Sequence, residues 1–350
     1  MSGWSSAAVT RKRPLPNPIS TSTGPGGSNS PARSSARGGS GASTTYERMT
    51  STGMSLGTRA LMSPRGASQL HLRQREHEPS LTVLRRCYSL PAMSLYRHPE
   101  VYATLLSPEP DVFEHVLDWI DVYLDGPLES VMDPCCGPGT WLLPFAVRDL
   151  HVAGNDLLPQ MVAECRRRLG EAAELTEGDM RSLAFETGPF DVVFNLHSSI
   201  GHLPDLSGAA AHLSSVRDHL RPDGLYFLGA CVYDGALVEE DVHVLYESEP
   251  MYIPSGGMAA VRYESVRRDP VRSEETIRVQ LLSRDVVECP ESFEEEYVLK
   301  TFQRDVLRGL LEEVGGFDLL AVHAMEEDGH PDRGLQSNCG DVTLVLRKRP

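Results

Sequence analysis

The sequence predicts an α/β fold: a doubly wound open parallel sheet with an antiparallel β insertion before the last helix. Three observations carry that prediction. Between Ser130 and Val232, short apolar runs that end in a polar residue alternate with helix-length segments, the pattern of successive βα units. The first run ends at Asp133 and leads into Cys135-Cys136-Gly137-Pro138-Gly139, a turn with two glycines one residue apart. Beyond Val232 the apolar period changes to strand alternation, then returns to one helix and two strands.

The elements follow in chain order. The ordered domain is expected to start at Leu95-Tyr96-Arg97-His98, with a helix opening at Pro99, where a missing N–H costs nothing. Asp111 to Leu124 has a helical apolar period in Val112, Val116, Trp119, Ile120 and Tyr123. Ser130-Val131-Met132-Asp133 reads as the first strand and Trp141 to Leu150 as the helix after it. Between them, side-chain-free glycines and free N–H groups at a helix start let a polar cofactor approach closely.

His151 to Asp156 is the second strand. It closes on Asp156, seventeen residues past Gly139, near where a carboxylate accepts hydrogen bonds from ribose hydroxyls. Leu157 to Leu169 is the next crossover helix, and Ala173 to Glu177 is a third strand leading to Gly178-Asp179-Met180. Phe190 to Asn195 is an apolar fourth strand with a polar end. Four βα units thus set polar groups along one edge, as a nucleoside crevice in an open sheet requires. A helix from Ala209 to Leu220, a turn at Arg221-Pro222-Asp223-Gly224 and a buried strand from Leu225 to Val232 complete the alternation.

The insertion spans 233–302. Strand-like segments Val242 to Tyr252, Met258 to Arg267, Thr276 to Val287 and Phe293 to Phe302 are divided by Pro254-Ser255-Gly256-Gly257, Asp269-Pro270 and Cys289-Pro290. A last helix, Arg304 to Val314, precedes strands Phe317 to Met325 and Asp341 to Arg347. The acids Glu239, Glu240, Asp241, Glu247, Glu249 and Glu294-Glu295-Glu296 have two readings: steering of a cationic amine, or the solvated face of exposed strands.

Charge divides the chain. Residues 1–90 carry twelve Lys and Arg against Glu47, Glu76 and Glu78, or +9, and the whole chain carries −16, which leaves −25 for residues 91–350. The first part is rich in Ser, Gly, Pro and Arg, cannot bury enough apolar surface to offset ordering entropy, and is expected to be a disordered basic tail. Its composition also suits a transit peptide or a segment that touches anionic surfaces. Met93 stands just before the first domain-like residues, so the tail is expected to be dispensable for activity.

No stretch approaches the ~18 apolar residues of a membrane span. The seven cysteines are odd in number, scattered and without CxxC spacing, which points to a reducing, cytoplasmic setting rather than a disulfide framework or zinc site. The twelve histidines form no ligand-spaced cluster, and no metal is expected. His212 and His219, seven apart on the expected helix, are expected at the surface or its boundary.

From Val131 to Val232 the chain resembles class I methyltransferases that use S-adenosylmethionine, with a Rossmann-like sheet. The carriers are Asp133-Pro134-Cys135-Cys136-Gly137-Pro138-Gly139, Asp156, Gly178-Asp179-Met180 and Phe190 to Asn195. The resemblance implies that Gly137 and Gly139 line the methionine and ribose part of the cofactor and that Asp156 holds the ribose diol. It implies further that Asp179 with the Met180 backbone frames the adenine and that Asn195 closes the methionine end. Asp133 and Cys135 belong to the same cofactor turn, and Cys135 departs from the family's usual glycine there. NAD is the runner-up cofactor, but its fingerprint asks for a third glycine near Leu142 and a hydride-transfer site, and neither is found.

Gly178-Asp179-Met180-Arg181, Phe190-Asp191 and Ser198-Ser199-Ile200-Gly201-His202-Leu203 narrow the resemblance to amino-sugar N,N-dimethyltransferases of secondary metabolism. That subgroup has an aromatic where this chain has His197. It implies an N-terminal helical lid whose tyrosine covers the cofactor, for which Tyr96 and Tyr102 are the candidates. In similar enzymes the insertion covers the active-site mouth or forms a dimer contact.

An amine arrives largely protonated at neutral pH and must lose a proton before it attacks the activated methyl. His202, in the loop after the fourth strand, is the first candidate for base or orienter, with an unperturbed pKa near ~6.5; His197 is the second. The expected function is methyl transfer to a small-molecule amine. The alternatives are O-methylation of a small metabolite and a non-catalytic cofactor-binding scaffold. Nucleic acid is not an expected partner: residues 91–350 are acidic, and Asn195-Leu196-His197-Ser198 lacks the Asn-Pro-Pro-aromatic signature of base methylation.

Overall fold

The structure is a computed structural model that describes residues 95–233, 242–287, 289, 292–324, 334–336 and 340–350. The expected basic tail, and Glu239, Glu240 and Asp241, lie outside them. In chain order the elements are α1 (Pro99–Leu105), α2 (Pro110–Tyr123), β1 (Ser130–Asp133), α3 (Leu143–Ala146), β2 (His151–Asp156), α4 (Pro159–Leu169), β3 (Ala173–Glu177), β4 (Phe190–Asn195), α5 (Leu206–His219) and β5 (Leu220–Val232). There follow β6 (His243–Glu247), β7 (Met251–Tyr252), β8 (Met258–Asp269), β9 (Glu274–Arg284), β10 (Phe293–Lys300), α6 (Arg304–Val314), β11 (Phe317–His323) and β12 (Gly340–Lys348).

The main sheet has the order β11-β12-β5-β4-β1-β2-β3. Strands β1 to β5 are parallel, and β12 runs antiparallel between β5 and β11. The chain winds outwards from β1 to β3, then returns to place β4 on the other side of β1. That reversal is the topological switch point, where the loops after β1 and β4 diverge and open a crevice. β4 is buried at all six positions, as a central strand covered on both faces must be.

Helices cover both faces. On one side Ala209, Leu213 and Val216 of α5 and Leu307 and Leu310 of α6 pack on Met132, Val193 and Leu228. On the other, Phe113, Val116, Trp119 and Ile120 of α2 and Phe145 of α3 pack on Val131, Val192, Phe194 and Phe227. β10-β9-β8-β6 form the separate antiparallel sheet, with β7 added to β8. Its inner face carries Val261, Ile277, Val279, Leu281 and Tyr297, and α1 lies on it through Val101 and Leu105. The insertion therefore holds the N-terminal helix α1 in place.

Three differences from the sequence reading have local causes. The expected helix from Trp141 to Leu150 is only Leu143–Ala146, because Pro144 confines its start and Asp149 takes φ +60 just past its end. The turn at Arg221 to Gly224 is a register shift inside β5: pairing with β4 passes from Phe190↔Leu220 to Val192↔Leu225, and Asp223 has φ +61. His212 is fully buried rather than at the surface or boundary, while His219 is half-buried. Among the described residues no helix is long and apolar enough to cross a membrane.

Candidate active site

The crevice at the switch point is a cleft with about 700 Å³ of unfilled space, including the part open to solvent. The ends of β1, β2, β3 and β4 form its floor, and Tyr96 and Tyr102 of the N-terminal segment also line it.

The floor is tied together by side chains that accept backbone N–H groups. Gly137 N–H donates to Asp156 Oδ2 at 2.9 Å, and Leu158 N–H donates to Oδ1 at 2.9 Å. One carboxylate thus fixes both the glycine turn and the start of α4. Cys135 N–H donates to Asp133 Oδ1 at 2.9 Å. Buried Asn155 stitches two loops and strand β3: its Nδ2 donates to the carbonyls of Pro134 and Gly178, each at 3.0 Å, and its Oδ1 accepts the Thr176 hydroxyl at 3.0 Å.

The two glycines do different work. Gly137 lines the cleft at φ +52, and a Cβ placed there would meet only Tyr102 Cε1, at 3.9 Å. Gly139, at φ +78, does not line the cleft. A Cβ there would lie 2.7 Å from Cys165 Sγ and 3.3 Å from Leu169 Cδ1, so its role is to let α4 pack against the turn.

The remaining expected residues fall into three groups. Cys135 and Met180 line the cleft, with Cys135 Sγ 3.3 Å from Met180 Sδ. Asp133 and Asn195 line a narrow adjoining recess that shares Tyr102, Cys135, Gly137 and His197 with the cleft, and Asn195 Nδ2 reaches Cys135 Sγ at 3.7 Å. Asp179 is turned away from the cleft lining: Arg181 holds its carboxylate through Nε and Nη2, the latter at 2.5 Å. Only its neighbours Gly178 and Met180 reach the lining.

Burial governs the titrating groups. It pushes the Asp133 carboxyl up to about 8, against the Cys135 N–H bond. It pushes Asp156 up to about 6, against the backbone N–H bonds it accepts. The buried Asp133 and the half-buried Asp156, at the ends of β1 and β2, therefore favour a cation or hydroxyl donors beside them.

His202 sits in an aromatic setting at the cleft mouth. Its Nε2 pairs with the Tyr96 hydroxyl at 3.2 Å, its ring stacks on Tyr297 with centroids 5.6 Å apart, and Tyr96 meets it edge-on at 5.8 Å. Nδ1 is buried with no hydrogen-bond partner. Burial lowers the ring to about 4, well below the unperturbed value expected from sequence, so it is neutral at physiological pH. His197 is exposed and accepts the Trp141 indole N–H at Nε2, 2.7 Å.

Sequence reasoning missed Asn155, Trp141, Tyr297 and the apolar wall of Leu157, Leu158 and Met161. Asn155 and the wall had a signal in their place beside Asp156; Tyr297 had none, being hidden in an acid-rich strand. Among the acids of the insertion, Glu247, Glu294 and Glu296 are exposed and pair with Arg262 or Arg278, the solvated-face reading. Glu295 instead points inward with a buried Oε2 that has no hydrogen-bond partner.

Residues 131–224 match a family model described as a methyltransferase domain. Over 97 residues the chain is 36% identical to dTDP-3-amino-3,4,6-trideoxy-alpha-D-glucopyranose N,N-dimethyltransferase from Streptomyces venezuelae, covering 27% of this chain and 40% of that protein. Over 96 residues it is 36% identical to dTDP-3-amino-3,6-dideoxy-alpha-D-glucopyranose N,N-dimethyltransferase from Streptomyces fradiae, covering 27% and 37%. The chain thus spans well under half the length of these curated relatives. The fold is that of an S-adenosylmethionine-bound amino pentose methyltransferase from Micromonospora echinaspora involved in calicheamicin biosynthesis, with TM-score 0.54, 20% identity, and 74% of this chain and 98% of that one covered. Sheet order, switch-point cleft and family match agree over one stretch: residues 131–224 match a methyltransferase domain, and the chain has the fold of S-adenosylmethionine-binding methyltransferases.

Proposed function

We propose that the protein transfers a methyl group from S-adenosylmethionine to the amino group of a small molecule, an amino sugar or related amine of a biosynthetic pathway. The observation that carries this reading is the pairing of two kinds of wall in one cleft. One holds the diol-accepting carboxylate Asp156 beside Gly137; the other is an aromatic mouth of Tyr96 and neutral His202, with Tyr297 stacked on the imidazole from outside the lining. The names of the curated relatives support an amino-sugar acceptor, and the acidic balance of the domain supports a small molecule over nucleic acid.

The residues fit the cofactor. Gly137 leaves its side of the cleft free of a side chain, and the raised carboxyls of Asp133 and Asp156 are groups that a nearby cation would ionise. When bound, the cofactor supplies a methyl already activated on sulfonium sulfur. Asp156 would hold the ribose hydroxyls, and Leu157, Met161 and Met180 the planar base.

The chain's own task is to present a dry, deprotonated amine in line with that methyl. The aromatic mouth disfavours an ammonium over a neutral amine by desolvation, which lowers the amine's pKa. His202 lines the cleft as a neutral imidazole held at Nε2 by the Tyr96 hydroxyl, and its fixed ring helps to set the direction of the amine lone pair. At about 4 it is a weak base, so His202 orients more than it abstracts.

A homodimer through the insertion is supported by the exposed apolar side chains Val244, Tyr246, Met251 and Tyr252 on β6 and β7. The function is tested by transfer of radiolabelled methyl to paired acceptors. Label on amino sugars but not on their hydroxyl counterparts supports N-methylation; label on the hydroxyl series alone transfers the reading to O-methylation. No label on either, with cofactor bound, leaves a non-catalytic binding protein.

A further inference from the structure

We propose that His212 and Ser215, on the face of α5 that meets the loop after β3, are positioning residues for the base end of the cofactor. The inference rests on the methyltransferase reading of the cleft and concerns what shapes one wall of it. Met180 lines that wall, next to Met161 and Leu157 and beyond the Asp156 carboxylate, so a purine joined to a ribose held at Asp156 lies against it.

The loop that carries Met180 is not part of a strand or helix, so its shape is set by what holds its backbone. His212, fully buried, reaches the Met180 carbonyl through Nδ1 at 3.2 Å and the Tyr226 hydroxyl through Nε2 at 2.7 Å. A carbonyl only accepts, so Nδ1 carries the proton, Nε2 is the acceptor, and Tyr226 donates. One turn along the same helix, the Ser215 hydroxyl accepts the Leu183 N–H at 2.9 Å. Positions 212 and 215 share a helix face. The clamp runs from Tyr226, on central strand β5, through α5 to both ends of the Met180–Leu183 segment. It fixes the peptide plane at Met180, and with it the polar edge that the loop offers to a planar base. Burial lowers His212 to about 4, so the donor–acceptor order holds throughout the physiological range.

The test compares S-adenosylhomocysteine with S-inosylhomocysteine, which differ only at the purine edge, by calorimetry on the full chain. Leaving a buried carbonyl without its donor is expected to raise the S-adenosylhomocysteine dissociation constant of His212→Leu by about tenfold or more. The preference for adenine over hypoxanthine is expected to collapse with it. His212→Asn, whose amide N–H reaches where Nδ1–H lies, recovers most of both. Tyr226→Phe and Ser215→Ala each remove one hydroxyl from the clamp without opening a large cavity, and carry the same test should His212→Leu not fold. Folded variants that keep wild-type affinity and base preference, losing only thermal stability, overturn the inference while leaving the methyltransferase reading intact. Wild-type protein that binds neither nucleoside overturns that reading, and this inference with it.

Discussion

Replacing Asp156 by Asn changes one oxygen for an NH₂ group and removes a charge. The carboxylate accepts Gly137 N–H and Leu158 N–H at 2.9 Å each, so the amide must turn its NH₂ towards one of these donors. One backbone N–H then loses its acceptor, at a cost of ~1–3 kcal/mol to the fold. A ribose diol loses a charged acceptor as well, worth ~1.5–3 kcal/mol for each hydrogen bond. The dissociation constant of S-adenosylhomocysteine is therefore expected to rise by about 100-fold. Calorimetry with this ligand and its 2′,3′-dideoxy analogue separates the two effects. Wild-type protein should bind the dideoxy form about 100-fold more weakly, since it forfeits the same contacts. Asp156→Asn should bind the two forms with nearly equal affinity. A variant that still discriminates between them as the wild type does would refute the assignment of Asp156 to the ribose.

His202→Ala is expected to lower kcat by about 100-fold while the S-adenosylhomocysteine dissociation constant stays within about twofold, because the ring acts on the acceptor; single-turnover kinetics would show it, and unchanged turnover would remove His202 from the mechanism. S-adenosylmethionine affinity is expected to rise with pH towards 8, with proton release seen by calorimetry in two buffers, because a cation favours ionised Asp133 and Asp156, whose carboxyls are raised to about 8 and about 6. The same raised values mean that the cofactor-free protein binds more protons folded than unfolded between ~4 and 8, so these groups make it less stable as pH rises through that window; a pH-independent affinity would contradict the account. Gly139→Ala should cost ~2–4 kcal/mol in urea unfolding, its Cβ being driven into Cys165 at φ +78, whereas Gly137→Ala should cost less stability and more cofactor affinity. Equal stability losses for the two would contradict the separation of their roles.

Much of the fold is local in the sequence. β1 to β4 are short apolar runs with polar ends, and Pro99, Pro110 and Pro159 mark helix starts because that position needs no donor. Asp133, Gly137 and Asp156 could be found because a switch-point cleft requires an acid or a glycine at the ends of β1 and β2. What failed was long-range. α5 reads Leu-Ser-Gly-Ala-Ala-Ala-His-Leu, a run of small residues with few apolar landmarks, so nothing local says which face His212 occupies. Its partners stand at 180 and 226. The low value of His202 comes from burial among Tyr96 and Tyr297, which are about a hundred positions away in opposite directions. Gly139 carries the motif but serves α4 packing, a role that depends on Cys165 and Leu169.

The most direct test is a titration of the purified protein with S-adenosylhomocysteine, beside Asp156→Ala. One molecule bound per chain in the wild type, and binding weakened beyond detection in the variant, is the predicted result. Wild-type protein that takes up none of it, or an Asp156→Ala variant that binds it as tightly, would contradict the claim that the switch-point cleft is an adenosyl site.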